Sequence, residues 1–204
     1  FQPIVSAHDG HVVAYEALMR PQLPTLRSPL TVMQLASEIG RLYDIEKLTF
    51  FRACECYEEL EAAGKLDADA LIFVNSIASV SLSDEDWASY CEAHSAILPK
   101  LVVEITEEEE MNERELERKR NVPGSTGVFA LDDYGSGYSN GNSLLTIAPK
   151  YVKVDIAIIR GIDTDADKQQ FLMTLIDYAH PRGVQVLAEG VETLSELRKV
   201  LEMG

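Results

Sequence analysis

Five short apolar runs, ALIFVN, KLVVEI, TGVFALDD, KYVKVD and GVQVLAEG, recur along the chain with helix-patterned segments between them. Near-continuous apolar strands that alternate with helices imply a mostly parallel sheet covered by helices. A hairpin precedes them: FQPIV and HVVAYEALMR read as two strands around the turn Asp9-Gly10. The intervening helices are expected over SPLTVMQLASEIG, then a long amphipathic segment stopped by Gly64, then SDEDWASYCEAHSAIL with Ser83 as N-cap. Further helices follow over MNERELERKR, NSLLTIA, DKQQFLMTLIDYAH and TLSELRKVLEMG.

The strands share a second feature. Each delivers a charged or amide group at or near its C-terminal end: Glu16, Asn75, Glu104, the pair Asp132-Asp133, Lys153 with Asp155, and Glu189. In a closed parallel barrel those ends lie on one face, where active sites are built. Taken singly, each residue also reads as a solvated strand-end charge or a helix cap. The adjacent aspartates leave two readings open. Like charges side by side are costly to bury without a positive partner, so either a metal ion or a solvated turn accommodates them. Oxygen ligands from carboxylates and an amide suit hard cations such as Mg²⁺ or Mn²⁺. No Cys/His cluster with zinc-type spacing occurs.

Bulk properties narrow the function classes. With 204 residues, 46% of them hydrophobic and 25% charged, the chain suits one domain with a sizeable core. A formal charge of −16 opposes non-specific binding to polymeric nucleic acid or to an anionic membrane. No apolar run approaches the roughly 18 residues of a membrane span. Three cysteines without ligand spacing read as core or surface thiols in a reducing compartment. The four histidines share no spacing, and the run Glu107 to Glu110 reads as a solvated loop leading into a helix.

The motifs YEALMR, VNS, VEITE, ALDDYGSGYS, YVKVD and LAEGVET, in this order over the whole chain, resemble the EAL domain family, bacterial phosphodiesterases that hydrolyse cyclic di-GMP to linear pGpG. The resemblance implies an α/β fold, a TIM-like (β/α)₈ barrel with one antiparallel strand, which the Asp9-Gly10 hairpin would supply. It implies two divalent ions, Mg²⁺ or Mn²⁺. Glu16, Asn75, Glu104 and Asp132 would hold the first, and Asp132 would bridge to a second beside Asp133. Lys153 and Glu189 would position and deprotonate the attacking water, and Gln2 and Arg20 would lie near the substrate, Arg20 as a phosphate partner. Glu107 would brace the loop over residues 134–139, with Asp155 and Glu192 as supporting acids. The likeness further implies a homodimer, a bacterial cytoplasmic location without membrane contact by this domain, and a parent protein with an N-terminal sensory or GGDEF domain. The alternative is a catalytically weak or inactive EAL module that binds cyclic di-GMP or a protein partner as a signalling receptor.

Departures from the family pattern are visible. Tyr134 and Ser136 replace the more usual Phe and Thr, and the segment between Glu107 and Asp132 is a few residues short. A serine follows Asn75 directly, where the family places it two residues on. The chain also reaches Gly204 before the family's eighth strand and its active-site glutamine. Residues 1–204 are therefore expected to form a single EAL-type barrel domain truncated before its final strand.

Overall fold

The computed structural model describes residues 1–23, 25–107, 112–137 and 142–204. The backbone divides into two units. The first comprises Phe1–Val5, His11–Val103 and Glu109–Val128, and the second Ser6–Gly10, Glu104–Glu108 and Phe129–Gly204.

In the first unit β1 (Gln2–Val5) pairs antiparallel with β2 (Val12–Ala17), as the hairpin pattern predicts. Next come α1 (Pro29–Glu38), α2 (Leu42–Ala62) and β3 (Leu71–Asn75), and β3 lies parallel to β2 with Glu16 opposite Phe73. The helix α3 (Asp84–Ala93) starts where the capping pattern places it, with Ser83 Oγ accepting from the Asp86 amide at 3.1 Å. The unit also contains the beginning of β4 (Leu101–Thr106) and the helix α4 (Glu113–Arg120). Strand order follows chain order.

Spacing on α2 explains the core here. Its buried residues Glu46, Phe50, Ala53, Cys54 and Tyr57 recur at helical period and make one stripe. Phe50 meets Trp87 and Tyr90 of α3 edge-on, with ring centroids 5.3 and 5.7 Å apart. Each buried aromatic contributes about 1.5–3 kcal/mol through removal from water. Cys54 shares this layer, its sulfur 2.9 Å from the Tyr90 hydroxyl, and burial pushes its thiol up to about 12. Cys54 is thus one of the core thiols that the sequence leads one to expect.

One member of the stripe is a carboxylate. Glu46 is 1% exposed and meets Lys119 of α4, which is equally buried, at 2.8 Å. Lys119 Nζ also donates to Ser76 Oγ and to the Ile77 carbonyl, each at 2.6 Å. Ser76 Oγ and the Ile77 amide in turn donate to Glu46 at 2.7 and 2.8 Å. Full hydrogen bonding is what makes such a buried pair tolerable.

In the second unit the end of β4 is followed by β5 (Val128–Tyr134), α5 (Asn142–Ile147), β6 (Tyr151–Val154), α6 (Ile156–Ile159), α7 (Ala166–Ala179), β7 (Gln185–Ala188) and α8 (Leu194–Met203). The strands β5, β6 and β7 pair in parallel. Phe129, Leu131, Val152, Val154, Ile159 and Leu175 supply its apolar core. Among the described residues the sheet strands number seven, where the family resemblance implies eight for a complete barrel. The short α6 goes unsignalled in the sequence. It begins because Asp155 ends the strand and accepts the Ala157 amide at 2.7 Å, so Asp155 acts as a helix cap.

The entry to α8 is fastened by a capping box. Thr193 Oγ1 accepts the Glu196 amide at 3.1 Å, and Glu196 accepts the Glu192 and Thr193 amides at 3.0 Å each. Its other oxygen accepts the Gly161 amide at 2.9 Å. These donors hold the Glu196 carboxyl down at about 2. The loop that leaves β7 is thereby tied to the turn after α6.

Two stability predictions follow from these clusters. Lys119→Met leaves the Glu46 charge buried and unpaired and is expected to cost about 3–5 kcal/mol in urea unfolding. Glu46→Gln/Lys119→Met removes both charges and is expected to recover a large part of that loss; a single-variant cost below about 1 kcal/mol would contradict the pairing. Glu196 has a depressed folded-state pKa, so its contribution is complete above the ordinary carboxyl value of 4.5 and is lost as pH falls toward about 2. Glu196→Gln should lower the melting temperature at pH 7 by a few degrees, and the gap from the parent chain should narrow as pH falls through that window. A gap independent of pH would rule out the ionised clamp.

Candidate active site

The second unit gathers five of the residues that sequence reasoning selected. Glu104 stands on β4, Asp132 and Asp133 on β5, Lys153 on β6, and Glu189 directly follows β7. Lys153 Nζ lies 2.8 Å from Glu104 Oε1, 2.9 Å from Asp132 Oδ1 and 3.0 Å from Glu189 Oε1. Glu104, Asp132 and Lys153 are all buried, and Glu189 is partly exposed. One ammonium thus faces three carboxylates where water is scarce, and Coulomb interactions are strong there.

Register explains how neighbouring aspartates can both serve one site. Successive side chains of a regular strand point to opposite faces. Here Leu131 pairs with Val152 and Tyr134 with Val154, so two residues of β5 lie opposite the single residue Lys153. This bulge breaks the alternation. Asp133 takes a left-handed φ of 55°, which costs a non-glycine residue about 1–2 kcal/mol, least for Asp or Asn. Its amide donates to Asp132 Oδ1 at 2.9 Å. As a result, carboxylate oxygens of Asp132, Asp133 and Glu189 lie within 4.8 Å of one another. This all-oxygen donor set, with no thiolate or imidazole, fits a hard divalent cation.

The turn after the aspartates is held by Glu107, which is 5% exposed. Its amide donates to the Asp132 carbonyl at 3.1 Å, and its Oε2 accepts the Gly135 amide at 3.4 Å. The acid expected to brace this loop therefore contacts its first turn; residues 138 and 139 of the loop, and residues 108–110 of the acidic run, lie outside the described residues. Gly135 has φ +95°, and a Cβ there would sit 2.8 Å from Ile158. Gly190, directly after Glu189, is just as constrained: a Cβ would approach Ile156 to 2.4 Å. Both glycines let the site loops lie against the α6 segment.

Other candidates have different surroundings. Glu192 is exposed and pairs with Arg160 at 2.5 Å, which lowers its carboxyl pKa. In the first unit, Glu16 stands opposite Gln2 across the hairpin, and Asn75 closes β3. Arg20 is exposed and donates to the Met19 carbonyl at 2.9 Å. Sequence reasoning missed Glu46 and Lys119, which lie on helices read as amphipathic and as charged. The signal was present: Glu46 lies four residues before Phe50 on the α2 stripe, and Lys119 three after Leu116 on α4.

Comparison with known proteins agrees with this picture. The family model described as "EAL domain" matches residues 1–204. The probable cyclic di-GMP phosphodiesterase PdeG of Escherichia coli is 27% identical over 97% of this chain and 40% of its own length. The chain spans 40% or less of the curated relatives it matches. Among solved structures, the PaMucR phosphodiesterase in complex with cyclic di-GMP has a TM-score of 0.82 at 24% identity, covering 100% of this chain and 84% of that one. The Klebsiella pneumoniae BlrP1 complex with manganese and cyclic di-GMP gives 0.79 at 24% identity, covering 100% and 51%. Such scores establish the TIM-barrel-like fold of EAL domains, with β1 as its antiparallel strand. No described helix is long and apolar enough to cross a membrane. With its whole length, residues 1–204, matched by one family model, the chain belongs to the EAL domain family.

Proposed function

We propose that this chain hydrolyses cyclic di-GMP to linear pGpG at a site for two divalent ions, Mg²⁺ or Mn²⁺. The observation that carries the reading is the Lys153 ammonium within 3.0 Å of Glu104, Asp132 and Glu189, beside the bulged Asp132-Asp133 pair. Membership in a family whose named relatives include cyclic di-GMP phosphodiesterases supplies the substrate. Glu16, Asn75, Glu104 and Asp132 would hold one ion, and Asp132 and Asp133 the other. Bound there, the ions supply Lewis acidity toward the phosphate and the attacking water.

The chain's own groups do the rest. Lys153 fixes the Glu189 carboxylate by its 3.0 Å contact, and Glu189 accepts the proton of the attacking water. The positive charge of Lys153 also offsets charge that builds on the phosphate in the transition state. Glu107 keeps the turn at Gly135 closed beneath the aspartates. Gln2 and Arg20 contact the substrate, with the guanidinium on a phosphate. The setting that goes with this reading is a homodimer in the bacterial cytoplasm.

Two kinetic tests separate the roles. Asp132→Ala removes the shared ligand and should cut pGpG formation at saturating Mn²⁺ on the order of 10²-fold or more, since even outer partners of metal ligands are worth 10–100-fold. Near-normal turnover in that variant would refute the bridging role. Lys153→Ala should lower kcat by roughly 10²–10³-fold with little change in KM, because its contacts are to the proton acceptor and the transition state. Lost affinity at unchanged kcat would make Lys153 a substrate-binding residue. A parent chain that binds cyclic di-GMP without turning it over would be a receptor.

A further inference from the structure

We infer that the buried Glu46–Lys119 pair is a positioning device for Asn75, an inference that rests on the metal-site reading of Asn75. Asn75 is the last residue of β3, and Ser76 and Ile77 follow it directly. Both residues meet one cluster, and the Ile77 carbonyl also accepts from the Val80 amide at 3.1 Å. Ser76 Oγ donates to Glu46 at 2.7 Å and accepts from Lys119 at 2.6 Å; the Ile77 amide donates to Glu46 at 2.8 Å and its carbonyl accepts from Lys119 at 2.6 Å. Backbone and side chain of the two residues after Asn75 are thus gripped from both sides, by α2 through Glu46 and by α4 through Lys119. Glu46, Ser76 and Lys119 are all at least nine-tenths buried.

Ser76 lies one residue past the end of β3, so its anchorage bears directly on how the last residue of the strand is held. Anchoring Ser76 at 2.6–2.7 Å to two charged groups therefore restrains the backbone that carries Asn75. An amide ligand gains from this because it carries no charge, and its grip on a cation depends on orientation more than a carboxylate's does. The serine directly after Asn75 is the residue whose Oγ meets the pair. Glu46 and Lys119 touch no proposed reacting group, so their part is positioning.

The test is a double-mutant cycle on Mn²⁺ affinity, read by titration calorimetry on the full chain without substrate. Glu46→Gln/Lys119→Met is the working variant, because it leaves no lone buried charge, and cooperative unfolding shows that it folds. It should weaken Mn²⁺ binding about 10-fold, the size expected for partners that orient a ligand. In an Asn75→Ala background the same pair substitution should produce no further loss. Parental Mn²⁺ affinity in the pair variant, or equal losses in both backgrounds, would overturn the positioning role while leaving the metal site standing. Unchanged Mn²⁺ affinity in Asn75→Ala would overturn the ligand role of Asn75, and the inference with it. A parent chain that binds no Mn²⁺ would overturn the metal reading itself.

Discussion

The unequal charge around Lys153 governs the second unit. Three carboxylates press on one ammonium, with the Asp133 carboxylate alongside. Close like charges in a poorly hydrated volume repel strongly unless a cation intervenes or a proton is taken up. A fold selected for stability alone would gain by exchanging these groups for apolar ones. Several surrounding details sustain the arrangement instead. A bulge brings both aspartates into play, Asp133 takes a left-handed backbone, and two glycines lie where a Cβ would collide. Local strain that the surroundings enforce is a mark of functional sites.

The first unit provides an internal contrast. It too buries a lysine against a carboxylate, but Lys119 and Glu46 balance in charge and share hydrogen bonds with Ser76 and Ile77. A balanced, saturated pair gives a cation nothing to neutralise and acts on geometry. An unbalanced cluster of oxygen donors invites one. The chain therefore buries charge in two ways, one cluster with carboxylates in excess over its ammonium and one pair in balance.

Much of this was legible in the sequence because strands advertise their ends. Apolar runs such as FALDD and YVKVD end on charged residues, and that regularity singles out Glu104, Asp132, Lys153 and Glu189, four residues that the structure brings together. The Ser83 cap and the hairpin at Asp9-Gly10 were equally plain, since each depends on residues close in sequence. The bulge was not legible. It is a property of pairing between β5 and β6, and nothing local in LDDY announces that two residues will face one. The buried pair escaped notice because Glu and Lys on helices are usually solvated; only the three- and four-residue spacing to Leu116 and Phe50 hinted otherwise. Asp155, expected as a supporting acid, caps α6, and Glu192, expected as another, pairs with Arg160.

Diffraction from crystals grown with Mn²⁺, recorded for anomalous scattering, tests the central claim most directly. Manganese peaks are predicted beside the carboxylates of Asp132 and Asp133 and beside Glu104. Crystals saturated with Mn²⁺ that show no anomalous peak there, with Lys153 still closed on all three of its carboxylates, would contradict it.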